Sequence, residues 1–331
     1  MINVGLLGAG RIAGVHASAI SSHPSSSLVA VSDINHKAAQ SLASSYGCEV
    51  RDSEQIIADQ SIHAVLIATS TNTHSELMEQ ATAAGKAVLC EKPVDLDLQR
   101  ARECQSRIQK TGQPVMIGFN RRFDPNFAAL QNALSKGEIG KAELLSITSF
   151  DPAPPQTEYI KVSGGLFKDM MIHDFDMANF IMGEVPITLI AVASSMVNPE
   201  IEKVGDVDTA VVTMQYLNGS MAVIKNSRRA AYGYDQRLEI LGSDGLFQAQ
   251  NVLEDTIVKS TKDGVLSAKP SYFFLERYMT AYRAEWAAFM DAIIQKKDIP
   301  VGMDDGVTAL AMAEAAKLSF ALGEPVELSK I

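Results

Sequence analysis

The sequence predicts an α/β protein of two domains. An N-terminal Rossmann-type, doubly wound parallel sheet is expected over residues 1–120. An α+β domain with a large open, mainly antiparallel sheet is expected over residues 121–331. Three observations carry this. The chain has 331 residues, more than one ordinary core accommodates. Its first third alternates short apolar runs with helical patterns, the mark of parallel strands buried on both faces. After Asn120 strand-like stretches follow one another directly, with Asn218-Gly219 and Asp244-Gly245 turn signals between them.

In order, residues 2–7 form an apolar run that ends in glycines, and an amphipathic stretch covers 11–20. Residues 28–32 make the next run, closing on Asp33, and a helical pattern over 37–45 stops at Gly47. Runs at 64–68 and 87–90 flank a helix over 73–83 that Gly85 ends. A long helix is expected over 96–111, with Asp95 as N-cap and Gly112 behind it, and 115–119 is the sixth strand. In the second domain a helix over 125–136 precedes strands at 141–149, 188–195, 208–215, 220–226 and 236–241. A Pro-rich loop (151–155) and a helix over 165–182 interrupt them, and helices over 278–296 and 304–321 close the chain. No internal repeat or low-complexity tract is present.

Composition narrows the function. Hydrophobic residues make up 47% and charged residues 21%, as in globular proteins, while 29 Lys plus Arg against 39 Asp plus Glu give a net charge of −10. Such a surface repels phosphate backbones, so no nucleic-acid partner is expected. The apolar runs are too short for a bilayer, and the chain enters its first strand pattern at once, leaving no room for a signal peptide. Cys48, Cys90 and Cys104 show no CxxC spacing and read as reduced thiols, so a cytoplasmic location and no metal site are expected.

Gly8-Ala9-Gly10-Arg11-Ile12-Ala13 is GxGxxA between a strand and a helix. Gly8 permits the tight turn, Gly10 lets backbone approach a pyrophosphate, and Ala13 lets helix pack on strand. Alone the motif is weak and also fits a plain structural turn. Here Asp33 ends the second strand, placed to accept hydrogen bonds from a ribose diol and to repel a 2′-phosphate, so NAD is favoured over NADP. The fourth strand ends in Ala68-Thr69-Ser70-Thr71-Asn72-Thr73-His74, whose small polar side chains suit either cofactor contact or capping of the next helix. The fifth ends in Glu91-Lys92-Pro93, where Lys92 either points to the same crevice or pairs with Glu91 on the surface.

The richest chemistry lies in residues 163–177. Asp169 and His173 are four apart, a spacing that on a helix puts a carboxylate beside an imidazole and suits a general base. Asp174 and Asp176 lie near enough to bind a polyol. A metal held by Asp169, His173 and Asp176 is conceivable, but no ligand cluster supports it. No GxSxG elbow is present, which sets a nucleophilic hydrolase aside.

GAGRIA, ATSTNTH, EKP and the GG–x3–D–x3–H–D segment together resemble the Gfo/Idh/MocA oxidoreductase family along nearly the whole chain. The stretches 118–124, 163–167 and 226–237 resemble its bacterial inositol 2-dehydrogenases. The resemblance implies NAD-dependent oxidation of a cyclic polyol to a ketone, myo-inositol to 2-keto-myo-inositol. Another inositol isomer or a pyranose is the alternative substrate, and a non-catalytic NAD sensor the alternative role. It implies Lys92, Asp169 and His173 as catalytic residues. Cofactor contacts would come from Gly8, Gly10, Arg11, Ile12, Asp33, Thr69, Asn72, His74, Glu91 and Lys92. Asp176 would meet substrate hydroxyls, with Tyr232, Tyr234 or Asp235 closing the pocket. It also implies a homo-oligomer, dimer or tetramer, assembled through the open sheet. Phe150 stands where the family pattern leads one to expect a basic residue.

Asp33 makes the cofactor preference testable. Catalytic efficiency should be higher with NAD than with NADP, and Asp33→Ser with Ile34→Arg should move preference toward NADP by removing repulsion and adding a phosphate partner. Equal or better use of NADP by the unchanged protein would contradict the reading.

Overall fold

Short strands with few exposed residues build the first sheet of the computed structural model, which describes residues 1–331. β1 (Ile2–Leu7) passes through the glycine turn into α1 (Arg11–Ser22). Then come β2 (Ser26–Ser32), α2 (His36–Tyr46), β3 (Glu49–Val50), α3 (Ser53–Ala58), β4 (Ala64–Ile67), α4 (His74–Ala83), β5 (Ala87–Glu91), α5 (Leu98–Thr111) and β6 (Val115–Gly118). The order across the sheet is β3-β2-β1-β4-β5-β6, all parallel. The winding reverses between β1 and β4, the switch point where open α/β sheets hold ligands. β4 and β5 are buried at every residue, which is why they read as unbroken apolar runs. β3 and α3 were not expected from the pattern, being too short to show a period. α5 begins later than expected. Its N-cap is Asp97, which accepts the Arg100 N–H at 2.7 Å, while Asp95 accepts the Asp97 N–H in the preceding turn.

α6 (Pro125–Ser135), capped by Asp124, leads to the second sheet. β7 (Ala142–Phe150), α7 (Thr157–Ser163), one π-helical turn (Leu166–Met170) and α8 (Ile172–Met182) come next. They are followed by β8 (Thr188–Ser194), α9 (Pro199–Lys203), β9 (Thr209–Gln215), β10 (Met221–Ser227), β11 (Asp235–Gly242) and β12 (Gly245–Ala249). A separate hairpin, β13 (Val258–Thr261) with β14 (Gly264–Ser267), precedes α10 (Phe274–Gln295), α11 (Met303–Leu322) and β15 (Val326–Glu327). Seven strands lie in the order β12-β11-β7-β10-β9-β8-β15. Every pair is antiparallel except β7 with β10, so the sheet is mixed. One face packs inward through Leu145, Ile147, Val212 and Ile224. The other leaves Leu144, Val192, Val211, Met221, Leu241 and Leu246 exposed. No helix is long and apolar enough to cross a membrane.

The chain packs as two units, Met1–Phe123 with Met279–Leu310, and Asp124–Tyr278 with Ala311–Ile331. This differs from the expectation that all of 121–331 forms one domain. Most of α10 belongs with the first sheet. Trp286 is buried there and donates its indole N–H to Ser26 Oγ at 3.0 Å, while Tyr282 packs edge-on against the His16 ring. Such pairings across more than two hundred residues leave no trace in local periodicity.

Glu285, beside Trp286, is wholly buried and neither carboxyl oxygen has a hydrogen-bond partner. Burial first, then the charge of Glu91, hold its carboxyl well above the usual range. The folded state therefore keeps a proton there that the unfolded chain releases, and stability falls as pH rises above the ordinary carboxyl value. Glu285→Gln should be more stable than the parent at about pH 8, and the difference should narrow toward about pH 5. Urea unfolding followed by the fluorescence of Trp286, the only tryptophan, reads this unit directly. A difference independent of pH would contradict it.

Candidate active site

The glycine turn is built by close approach. Gly8 has φ +104°, and a Cβ there would overlap the Ala68 carbonyl at the end of β4. Only glycine combines that dihedral with that contact. Gly10 is the N-cap of α1 in an extended conformation, nothing lies within 4 Å of where its Cβ would be, and no side chain caps the helix. The first turn of α1, which begins at Arg11 and Ile12, carries no acidic residue to repel an anion. This fits a dinucleotide pyrophosphate. Asp33 holds the turn: its Oδ2 accepts the Ala9 N–H at 2.6 Å and its Oδ1 the Asn35 N–H at 2.7 Å. Each oxygen keeps a further lone pair for a ribose hydroxyl. Ile34 is fully exposed beside it.

At the end of β4, Thr69 and Thr73 hydroxyls bond each other at 2.7 Å, and Asn72 is exposed in a short 3₁₀ turn without capping α4. Two expected cofactor contacts are otherwise engaged. His74 is buried, with Nδ1 at 2.8 Å from the Pro93 carbonyl and Nε2 at 3.2 Å from the Thr69 carbonyl, and the neutral ring donates its one N–H to one of them. Burial depresses its pKa, against the pull of those two carbonyls. Glu91 is also buried, its Oε1 at 2.7 Å from His16 Nε2 on α1. Lys92 follows directly and is partly exposed.

In the second unit the segment bearing Asp169 and His173 is not one continuous α-helix. Met171 N–H bonds the Leu166 carbonyl five residues back at 2.9 Å, and α8 begins only at Ile172. The four-residue spacing therefore crosses a π-to-α junction, a device frequent at functional sites. The turn starts at Gly165, φ +78°, where a Cβ would overlap the Asp206 carboxylate that receives the Leu166 N–H. Asp169 accepts from the Tyr159 hydroxyl at 3.0 Å and from Arg228 at 3.4 Å, two partners that no local spacing announced. Asp174 is not available to a polyol. It is fully buried against the sheet, accepting from Ser149 Oγ at 2.5 Å and Asn226 Nδ2 at 2.9 Å. Asp176, also buried, is three residues on from His173, hence its neighbour along α8.

Of the three residues left open on the second sheet, Tyr234 packs into the core, edge-on to Tyr278. Tyr232 and Asp235 instead line a groove of about 440 Å³ with Arg237, Asn251, Leu253 and Pro270. There the Tyr232 hydroxyl donates to Asp235 at 2.6 Å, and Arg237 clamps the same carboxylate at 2.8 and 2.9 Å. Burial, then Asp235, push the Tyr232 phenol up to about 12. Phe150 pairs in register with Asp235 and lies on the sheet face opposite Ser149, hence opposite α8.

The chain is 47% identical over 320 residues to an inositol 2-dehydrogenase of Rhizobium meliloti (strain 1021), covering 97% of each. It superposes on a myo-inositol dehydrogenase of Corynebacterium glutamicum with TM-score 0.95 and 40% identity, covering 99% of each chain. With scyllo-inositol dehydrogenase of Lactobacillus casei, solved with NAD(H) and scyllo-inositol, the TM-score is 0.92 at 28% identity, again over 99% of each. Residues 2–119 match the oxidoreductase family's NAD-binding Rossmann fold and residues 131–328 its C-terminal alpha/beta domain. With both family models matched over nearly its whole length and a relative at 47% identity, the chain belongs to the Gfo/Idh/MocA oxidoreductase family.

Proposed function

We propose that this protein oxidises a ring hydroxyl of inositol to the ketone with NAD, and that myo-inositol, oxidised at C2, is its substrate. The observation that carries the reading is the joint presence of Lys92 after β5 and of Asp169 with His173 across the π-to-α junction, in a chain with an NAD-binding domain. The myo-inositol dehydrogenase relatives at 40% identity and above support the isomer. A scyllo-inositol enzyme at 32% identity supports the inositol class and keeps the other isomer as the second reading.

Bound NAD supplies an acceptor for a hydride at the nicotinamide ring. The residues do the rest. His173 takes the hydroxyl proton as the C–H electron pair leaves with hydrogen from the same carbon, so the C–O bond becomes C=O and the proton remains on the imidazole. Asp169 orients that imidazole and favours its charged form. The Lys92 ammonium donates to the reacting oxygen and stabilises its developing negative charge. Asp176 and Tyr232 bind the remaining hydroxyls. Gly8, Gly10, Arg11, Ile12, Asp33, Thr69 and Asn72 hold the dinucleotide. The enzyme works in the cytoplasm as a dimer or tetramer, and the exposed apolar face of the second sheet supports burial against another copy.

NADH formation across a panel of inositol isomers and aldoses tests the substrate, and failure with every inositol would exclude the reading. His173→Ala should cut turnover by roughly 10² to 10⁴ while leaving NAD affinity nearly intact. Lys92→Ala should also lower turnover, and Asp169→Asn should be milder than His173→Ala. Near-normal turnover in His173→Ala would place the base elsewhere. Light scattering should give a dimer or tetramer, and a monomer would contradict the proposed assembly.

A further inference from the structure

Arg228 has no part in the roles given above. It follows β10, is 2% exposed, and donates from Nη2 to Asp169 Oδ2 at 3.4 Å, while its Nε has no acceptor. Its backbone is pinned. The Arg228 N–H bonds the Asp208 carbonyl at 2.8 Å, and the Asp208 carboxylate collects the N–H groups of Met196, Val197 and Asn198. Asp206, in the same stretch, receives the Leu166 N–H at 3.0 and 3.1 Å at the head of the π turn. Burial chiefly raises the Asp206 carboxyl, and Asp169 adds to this, while the hydrogen bonds of Leu166 and Val207 and the charge of Arg228 oppose it. Three charges, two negative and one positive, thus act on one another inside the second unit.

Tyr159 from α7 also bonds Asp169, at 3.0 Å, and His173 lies four residues farther along the same segment. Lys168 is adjacent in the chain but is paired with Glu314 of α11 at 2.5 Å. A lone carboxylate beside an imidazole raises the imidazole's proton affinity, and a cation bonded to that carboxylate takes back part of the effect. Buried as it is, Arg228 exerts its charge with little screening by salt.

We propose that Arg228 is a positioning residue that sets the proton affinity of the Asp169–His173 pair, drawing on the Asp169 carboxylate so that His173 stands as the free base near neutral pH. The charge of Asp206 acts on the same cation. The proposal rests on the role of His173 given above.

The test is the pH dependence of kcat/KM with NAD and myo-inositol, whose acidic limb reports the pair in the free enzyme. In Arg228→Met the limb should move up by about half a unit or more, with a several-fold loss near neutrality that is recovered at alkaline pH. Arg228→Lys should keep the limb close to that of the parent. Asp206→Asn retains an oxygen for the Leu166 N–H and removes a negative charge that acts on Arg228 and Asp169, so its limb should move down. If Arg228→Met does not fold, Asp206→Asn carries the test through its opposite sign. A limb unmoved in both, or a loss equal at every pH, overturns the proposal and leaves Arg228 a packing residue. Near-normal turnover in His173→Ala would instead overturn the base assignment, so the two failures are distinguishable.

Discussion

Asp174 is the group around which the chemistry-bearing part of the second unit is arranged. A carboxylate without exposure is costly unless its oxygens are hydrogen-bonded. Here both are, by Ser149 on β7 and Asn226 on β10. Those two residues sit opposite each other in the parallel register, and Gln236 of β11 completes the row, its side-chain amide 2.9 Å from Ser149 Oγ. The next inward row, Ile224–Ile147–Leu238, is apolar core. α8 therefore has one rotation that satisfies Asp174, and since each residue advances the helix by about 100°, the directions of His173 and Asp176 follow from it. Asp206 does the same for the start of the segment by holding the Leu166 N–H.

The first unit applies the same logic with different residues. Asp33 ties the end of β2 to the glycine turn through the Ala9 N–H, and Glu91 ties the end of β5 to α1 through His16. The turn is thus held from both sides before any ligand arrives, the condition under which backbone N–H groups bind anions well. Lys92 is the next residue after Glu91, so its backbone position is set by a buried polar pair and not by the lysine itself. His74 packs into the same region, its ring between the carbonyls of Thr69 and Pro93.

The alternation of apolar runs and helical patterns, the glycine turn, the lysine after a strand and the Asp–His spacing are local features, and each was legible along the chain. Their physical basis is also local: strand burial, helix stops and the φ freedom of Gly8 act over a few residues. The roles of His74, Glu91, Asp174 and Tyr234 were not legible, because the atoms that engage them come from elsewhere in the sequence. An exposed polar contact and a buried one have the same one-dimensional pattern. Likewise, the parallel pairing of β7 with β10 could not be read from strands that alternate like any antiparallel set.

Local sequence thus decided which elements form and which residue types stand at their ends. The partition of the chain was decided in three dimensions, where Trp286 and Tyr282 return α10 to Ser26 and His16 of the first unit. So was the junction at Met171, because a π turn depends on what grips its first N–H, and that grip comes from Asp206, forty residues away. The electrostatic surroundings of Asp169 belong to the same class: Arg228 lies fifty-nine residues on and reaches it only once β10 is placed beside β7. Hydrogen bonds and charges act over a few ångströms of space, without regard to distance along the chain, and that is why only the folded protein fixes them.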